Sequence, residues 1–249
     1  MRARPVALLV VLLAAGCSSG PPPAPDGTAQ PVATGPLTAQ VRLAGLAAAA
    51  KDRRFAAGYA FTQAGRPPRT VTVVLAADGT WRVDVPGGAL GGQADIAVAN
   101  ERDGLYQCQL GTSAVLATGC VRVGSALSAA VDPRVQHPFT DWLDVLTDRQ
   151  AALSVAPAPA PAVGAARGTC FSVEPTAAAL VAPIDAGVYC FDTDGTLTAA
   201  RWALGTLVLS TGVSPAPPTA VLPGPIVPGA PLPTAAPPSP SASPSPSKR

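Results

Sequence analysis

Residues 55–85 read FAAGYAFTQAGRPPRTVTVVLAADGTWRVDV, and this stretch decides the fold class. Large apolar side chains recur at every second position in three segments, so that Tyr59 and Phe61 share one face of the first segment. A period of two is typical of strands that are buried on one face. The sequences GRPPR at 65–69 and Asp-Gly at 78–79 separate the segments and favour tight turns. The stretch therefore predicts three consecutive antiparallel strands.

The same alternation continues along the chain, and it is interrupted by helical patterns. An Ala-rich segment at about 37–51 predicts a helix, and HPFTDWLDVLTD at 137–148 predicts a second one that Thr140 can cap. A sheet with one large-residue face tends to curl and must cover that face. We therefore predict an α+β fold, a curved antiparallel half-barrel of about ten or eleven strands with helices over its concave face. Further strands are predicted at about 94–100, 104–110, 118–123, 150–156, 168–174, 187–192, 196–202 and 205–211.

Proline marks the expected limits of the folded body. Of 30 prolines, six lie in residues 18–36 and thirteen in residues 214–249, against ten in the much longer segment 37–213. The two proline-rich segments lack the periodic large apolar residues that offset chain entropy. We therefore predict one domain at 37–213, a disordered linker at 17–36 and a disordered Pro/Ser/Ala-rich tail at 214–249.

The first seventeen residues predict export and lipid attachment. Arg2 and Arg4 precede a short apolar run, and the run ends in LAAGC at Cys17. This sequence resembles a bacterial lipobox, which implies a signal peptide at 1–16, a diacylglyceryl group on the Cys17 sulfur and a lipid anchor on the outer face of the cell membrane. The alternative is an ordinary signal peptide with an incidental cysteine.

The charge pattern argues against a nucleic-acid partner. The chain has 17 basic and 15 acidic residues, and removal of Arg2 and Arg4 with the signal leaves 15 of each. The charges in 37–213 are interspersed, without the basic run that would neutralise a series of phosphates. The predicted partners are instead the membrane, a lipid ligand and an envelope protein.

Four cysteines remain once Cys17 is assigned to lipid, and four cysteines permit three pairings. Disulfides are the expected state of an exported chain. The local pairs Cys108–Cys120 and Cys170–Cys190 are favoured because each would join neighbouring strands. The alternative is that these residues are free structural thiols.

Catalytic and metal-binding motifs are absent from the sequence. There is no GxSxG, HExxH, GxxxxGK[ST] or GxGxxG, and the chain has one His. His137 precedes a proline at a helix entrance, which indicates a surface loop, and Asp141 and Asp144 are expected on a solvated helix face. The sequence therefore predicts neither an enzyme nor a cofactor or metal site.

Taken together, these elements resemble a known family. The aromatic first strand FAAGYAFT, the hairpin DGTWRVDV, the inserted helix and the final strands through YCFDTDGTL are similar to the LolA/LolB-like superfamily, over about residues 37–212. Within that superfamily, the chain resembles the exported actinobacterial lipoproteins related to LppX and LprG. The resemblance implies a half-barrel that carries acyl chains or lipidated molecules, or, as in the RseB-like branch, senses lipids and binds a regulatory partner. The two cysteine pairs are not general in that family and indicate a divergent branch.

The predicted function is therefore binding or carriage of a lipid or lipidated molecule in an apolar interior, without covalent chemistry. The alternative is a non-enzymatic envelope scaffold or sensor that binds a protein through its sheet edge or its proline-rich tail. The large side chains of the apolar face either line a pocket or simply pack a core. These candidate pocket residues are Tyr59, Phe61, Val73, Trp81, Val83, Phe171, Tyr189 and Phe191.

Overall fold

One antiparallel sheet of twelve strands dominates the computed structural model, which describes residues 36–111, 119–161, 167–176 and 182–236. Two helices accompany the sheet, α1 (Pro36–Asp52) and α2 (Trp142–Thr147), with single 3-10 turns at Leu90–Gly92 and His137–Phe139. The strands are β1 (Phe55–Thr62), β2 (Arg69–Leu75), β3 (Trp81–Ala89), β4 (Ala94–Glu101), β5 (Gly104–Gln109), β6 (Gly119–Gly124), β7 (Leu153–Pro157), β8 (Thr169–Pro175), β9 (Gly187–Phe191), β10 (Leu197–Trp202), β11 (Gly205–Leu209) and β12 (Ser214–Pro215).

The strand order divides the sheet into two meanders that meet at its centre. The order is β6-β5-β4-β3-β2-β1-β11-β10-β9-β8-β7, and the sheet does not close on itself. Tyr59 on β1 pairs with Leu209 on β11, while the two-residue β12 pairs with the beginning of β1 at Phe55 and Ala56. Gly79 and Gly195 adopt positive φ in two hairpin turns, as the Asp-Gly dipeptides predict. The predicted antiparallel α+β class is confirmed, with twelve strands instead of ten or eleven.

The two faces of the sheet bury different residues, and both predicted disulfides are present. Cys108 lies opposite Cys120 on β5 and β6, and Cys170 lies opposite Cys190 on β8 and β9. Both bridges lie on the small-residue face, since a strand of period two sends alternate side chains to opposite sides. The other face, called here the core face, carries Phe55, Tyr59, Phe61, Val73, Val83, Phe171, Tyr189, Phe191 and Leu207, among others.

Both helices pack against the core face. Leu43 and Ala47 of α1 join the same buried cluster as Trp142 and Leu146 of α2. The prediction that Thr140 caps the second helix is wrong, because a 3-10 turn occupies 137–139 and the Thr140 hydroxyl donates to the Gln136 carbonyl at 3.1 Å. The sequence PTAAALVAP at 175–183 predicts a short helical turn, but most of it lies outside the described residues, and position 175 belongs to β8.

The segment 214–236, called here the strap, corrects the expected limits of the domain. It is held by backbone and side-chain hydrogen bonds to the sheet, so the disordered tail predicted from residue 214 does not begin there. The physical reason is that prolines cannot donate hydrogen bonds but can accept them. The carbonyls of Pro217 and Pro225, for example, accept from the amides of Ala77 and Cys120, at 2.9 and 2.8 Å. Residues 1–35 and 237–249 lie outside the described part.

The strap crosses the sheet and passes around its β6 edge. Leu222 packs beside the Cys108–Cys120 bridge on the small-residue face. Residues 225–227 then pair with Cys120 in a parallel bridge, and Leu232 packs against the cluster on the core face. The exposed backbone of an edge strand is a template for unwanted pairing, and the strap covers it here.

We predict that Gln107 fixes the end of the strap. Its amide is buried, donates to the carbonyls of Leu232 and Val131, and accepts from the Leu232 amide at 2.6 Å. Gln107→Leu should lower the free energy of unfolding by about 1–3 kcal/mol, because buried polar groups lose their partners. Urea unfolding measures this, with the exposed Gln93→Leu as matched control. Equal stability of the two variants would show that the strap is not anchored at Gln107.

Candidate functional site

The candidate pocket residues of the core face lie mostly within a packed interior. Seven of the eight are at most 2% exposed, and all seven belong to one buried cluster; they are Tyr59, Phe61, Val73, Val83, Phe171, Tyr189 and Phe191. The ring of Phe139 lies 4.9 Å from that of Tyr59, and Trp142 meets Tyr189 edge-on at 6.0 Å. At these positions, therefore, aromatic residues of the 137–147 segment occupy the space over the sheet.

Trp81, the eighth candidate, is partly exposed and lines a cleft between the sheet and residues of the segment 125–144. This Trp81 cleft has a volume of about 470 Å³. Leu105 and Leu127 provide further apolar walls, while Gln136 and Asp141 contribute polar groups. Trp81 also borders a smaller pocket of about 180 Å³ beside Leu75 and Leu143. Both of these cavities lie at the rim of the core and not in the interior.

A half-buried histidine with two aspartates forms the polar wall of the Trp81 cleft. His137 Nδ1 lies 2.6 Å from Asp141 Oδ1, and His137 Nε2 lies 2.8 Å from Asp132 Oδ2. The imidazole also stacks on Trp142 with ring centroids 5.2 Å apart. Burial lowers the pKa of His137, but hydrogen bonds and charge from the two carboxylates outweigh it and raise that pKa to about 9. His137 is therefore an imidazolium at neutral pH.

This arrangement suits a structural role better than proton transfer. Both ring nitrogens face carboxylates, so no lone pair of His137 is available to accept a proton from a substrate. Burial raises the pKa values of Asp132 and Asp141, but their hydrogen bonds to His137 more than compensate and leave both pKa values lowered. The sequence analysis placed His137 on a surface loop and missed this cluster. The signal available was the pair of aspartates, five residues before and four after it.

Gln136 presents an unused hydrogen-bond acceptor beside the cleft. The side chain is 2% exposed, and its Nε2 donates to Asp132 Oδ1 at 2.7 Å. That bond fixes the orientation of the amide, so the atom without a hydrogen-bond partner among the described residues is Oε1. Asp144 also lines the cleft and pairs with Lys51 of α1. A ligand in the cleft would meet apolar walls together with acceptors for a donated hydrogen bond.

The remaining sequence predictions concern the compartment and the anchor. The two disulfides are typical of an oxidising, extracytoplasmic environment. Cys17 lies outside the described residues.

Comparison with family models, curated proteins and solved structures found no match to this chain. In the described ranges, no helix is long and apolar enough to cross a membrane, and no group of His, Cys, Asp or Glu side chains could hold a metal ion.

We predict that the His137 cluster makes stability depend on pH. The pKa of His137 is about 9 in the folded chain and near 6.5 in the unfolded one, so its contribution is complete below pH 6.5 and is lost as pH rises through 9. The pKa values of Asp132 and Asp141 are lowered in the folded chain. Their contribution to stability is therefore present at neutral pH and is lost as the pH falls into the acid range.

Denaturant unfolding between pH 6.5 and 9.5 should show wild type losing on the order of 2–3 kcal/mol more than His137→Asn over this range. Because the chain has one His, its imidazole NMR signals report the pKa directly. A measured pKa near 6.5 would contradict the prediction.

Proposed function

We propose that this chain is an envelope lipoprotein that binds a lipid or lipidated molecule without covalent chemistry. The observation that carries the proposal is the Trp81 cleft, an opening of about 470 Å³ between the sheet and residues of the segment 125–144. Its volume falls in the range of small-molecule sites, which are mostly apolar with a few placed polar groups. The binding site is thus the cleft at Trp81, at the rim of the core, in place of the interior at Tyr59 and Tyr189.

The proposed driving force is burial of an acyl chain against Trp81, Leu105 and Leu127. Each buried CH₂ contributes about 0.8 kcal/mol, so affinity should rise with the length of acyl chain that the cleft covers. The exposed Asp141 carboxylate would accept a hydrogen bond from a hydroxyl or amide of the ligand. The occupied nitrogens of His137 support a role without catalysis.

We also propose that the fold is a curved half-barrel of the LolA-like type, in a divergent disulfide-containing branch. The single antiparallel sheet supports this, as do the two helices packed on its core face. In this proposal Cys17 carries the diacylglyceryl anchor and residues 18–36 form the tether, which holds the domain at the outer face of the cell membrane.

A neutral amphiphile tests the proposed site. A long-chain alcohol with an environment-sensitive dansyl group should bind the wild-type chain, and its fluorescence should rise on binding. Trp81→Ala and Leu127→Ala should each weaken binding, with Trp81→Ala reducing it roughly tenfold or more, because the ligand loses apolar contact. Val41→Ala is the control, since Val41 is 53% exposed on α1 and lies outside the cleft. Equal affinity of all three variants would exclude the cleft.

A second candidate function is a non-enzymatic scaffold or sensor that binds an envelope protein. The packed surroundings of Tyr59 and Tyr189 favour it, because they leave no room for an acyl chain at those positions. The β6 edge is already paired with residues 225–227, so docking on a sheet edge would use β7. Failure of the wild-type chain to bind the dansyl probe or any extractable lipid would favour this function over lipid binding.

The anchor is tested separately at Cys17. Cys17→Ser removes the sulfur that would carry the lipid, so the variant should leave the membrane fraction in soluble form or keep its signal peptide. Membrane fractionation and intact mass measure both outcomes, and Ser18→Ala controls for substitution near the cleavage site. Unchanged fractionation and unchanged mass would refute lipid attachment at Cys17.

A further inference from the structure

A second pocket lies on the other side of the segment 132–137. Its volume is about 280 Å³, and its apolar floor includes Phe61 and Leu204. We call it the arginine pocket, because three arginines contribute to its lining; they are Arg66, Arg69 and Arg134. Residues 133–135 line this pocket, Gln136 and His137 line the Trp81 cleft, and Asp132 borders both. The same short segment therefore separates two sites of different chemistry.

Glycines at the end of β3 make room for two of the guanidinium groups. Gly87 and Gly92 have φ of 61° and 100°, and a Cβ at either position would overlap the guanidinium of Arg69 or Arg66. Arg66 Nη2 donates to the Gly91 carbonyl at 2.8 Å, and Arg69 Nη2 donates to Gln63 Oε1. The strap braces this turn from outside, since the amide of Gly91 donates to the Thr234 carbonyl at 2.8 Å.

The positive charges of Arg66 and Arg69 are not neutralised inside the pocket. Neither forms an ion pair with a carboxylate in the described part of the chain. The nearby carboxylates are engaged elsewhere: Asp132 faces His137, Asp95 accepts from the Gly87 amide at 2.6 Å, and Asp185 pairs with Arg134. Two like charges held together at one opening repel each other unless an anion joins them.

Arg69 also has an unused donor. Its Nε is buried and has no hydrogen-bond partner among the described residues. Burial lowers the pKa of Arg69, and the charge of Arg66 lowers it further, whereas Asp95 acts in the opposite direction. Because no carboxylate pairs with this guanidinium in the described part of the chain, an oxyanion in the pocket would stabilise its charge.

We propose that the arginine pocket binds a phosphate group, either free or as the headgroup of a phospholipid. Guanidinium groups suit phosphate because their planar donors match its oxygens, and Arg66 and Arg69 would contact it from two sides. Phe61 and Leu204 then lie where the apolar part of a phosphate ester would pack. This site is separate from the Trp81 cleft, so its test does not depend on whether a lipid binds in that cleft.

Isothermal titration calorimetry on the full mature chain tests the proposal with four probes: inorganic phosphate, glycerol 1-phosphate, dihexanoyl phosphatidic acid and dihexanoyl glycerol. The phosphate-bearing probes should bind, and the uncharged diacylglycerol should not compete with them. Binding of phosphatidic acid well above that of inorganic phosphate assigns the site to a lipid headgroup. Equal binding of the two assigns it to free phosphate.

Variants decide whether the arginines are responsible. Arg69→Gln should weaken phosphate binding by about tenfold or more, since a hydrogen bond to a charged group contributes about 1.5–3 kcal/mol. Arg69→Lys should restore part of the affinity, and Arg42→Gln on the exposed face of α1 should leave it unchanged. Thermal unfolding of each free variant separates loss of binding from loss of fold. Absence of phosphate binding in the folded wild-type chain, or equal affinity in folded Arg69→Gln, would overturn the proposal.

Discussion

The pairing of β1 with β11 is the contact on which the rest of the structure depends. It joins the meander β2–β6 to the meander β7–β10, and no other described strand pair connects them. Tyr59 lies in this pair, fully buried, and its hydroxyl donates to the Leu197 carbonyl at 2.9 Å. Its ring also contacts that of Phe139, in the segment 137–147 that lies over the sheet. One side chain thus links the centre of the sheet to the element that borders the Trp81 cleft.

The segment 132–137 borders both the Trp81 cleft and the arginine pocket without forming part of a strand. The imidazolium of His137 binds Asp132 and Asp141, so both ends of the 132–141 stretch are fixed by charge-assisted hydrogen bonds. Arg134 has a φ of 63°, which few residues other than glycine adopt, and its amide donates to Asp132 Oδ1 at 2.9 Å. The strap secures the same region through Thr234, whose amide donates to the Ala130 carbonyl at 2.8 Å.

Strand positions and disulfides follow from sequence because both depend on the period of two. Alternation predicts that Phe171 and Cys170 lie on opposite faces, and the strand register then places Cys170 opposite Cys190. The same reasoning does not predict the strap. Composition reports apolar side chains and hydrogen-bond donors, whereas Pro217, Pro225 and Pro233 hold the strap to the sheet region by accepting hydrogen bonds at their carbonyl oxygens. The Trp81 cleft and the arginine pocket could not be predicted either, because residues far apart in sequence form their walls. Among their lining residues, the apolar pattern of the strands singled out Trp81 in the cleft and Phe61 in the arginine pocket.

The position of the strap also orders the events of folding. Hairpins such as β2–β3 involve near neighbours in sequence and can form within microseconds, whereas β1 must wait for β11, about 150 residues later. The strap comes later still, and it returns to Ala77, Cys120 and Ala130 only after every strand has been synthesised. Such distant contacts carry the loop-closure entropy that slows folding. Until the last proline-rich residues arrive, the β6 edge stays open, and that interval is when this chain is most exposed to aggregation.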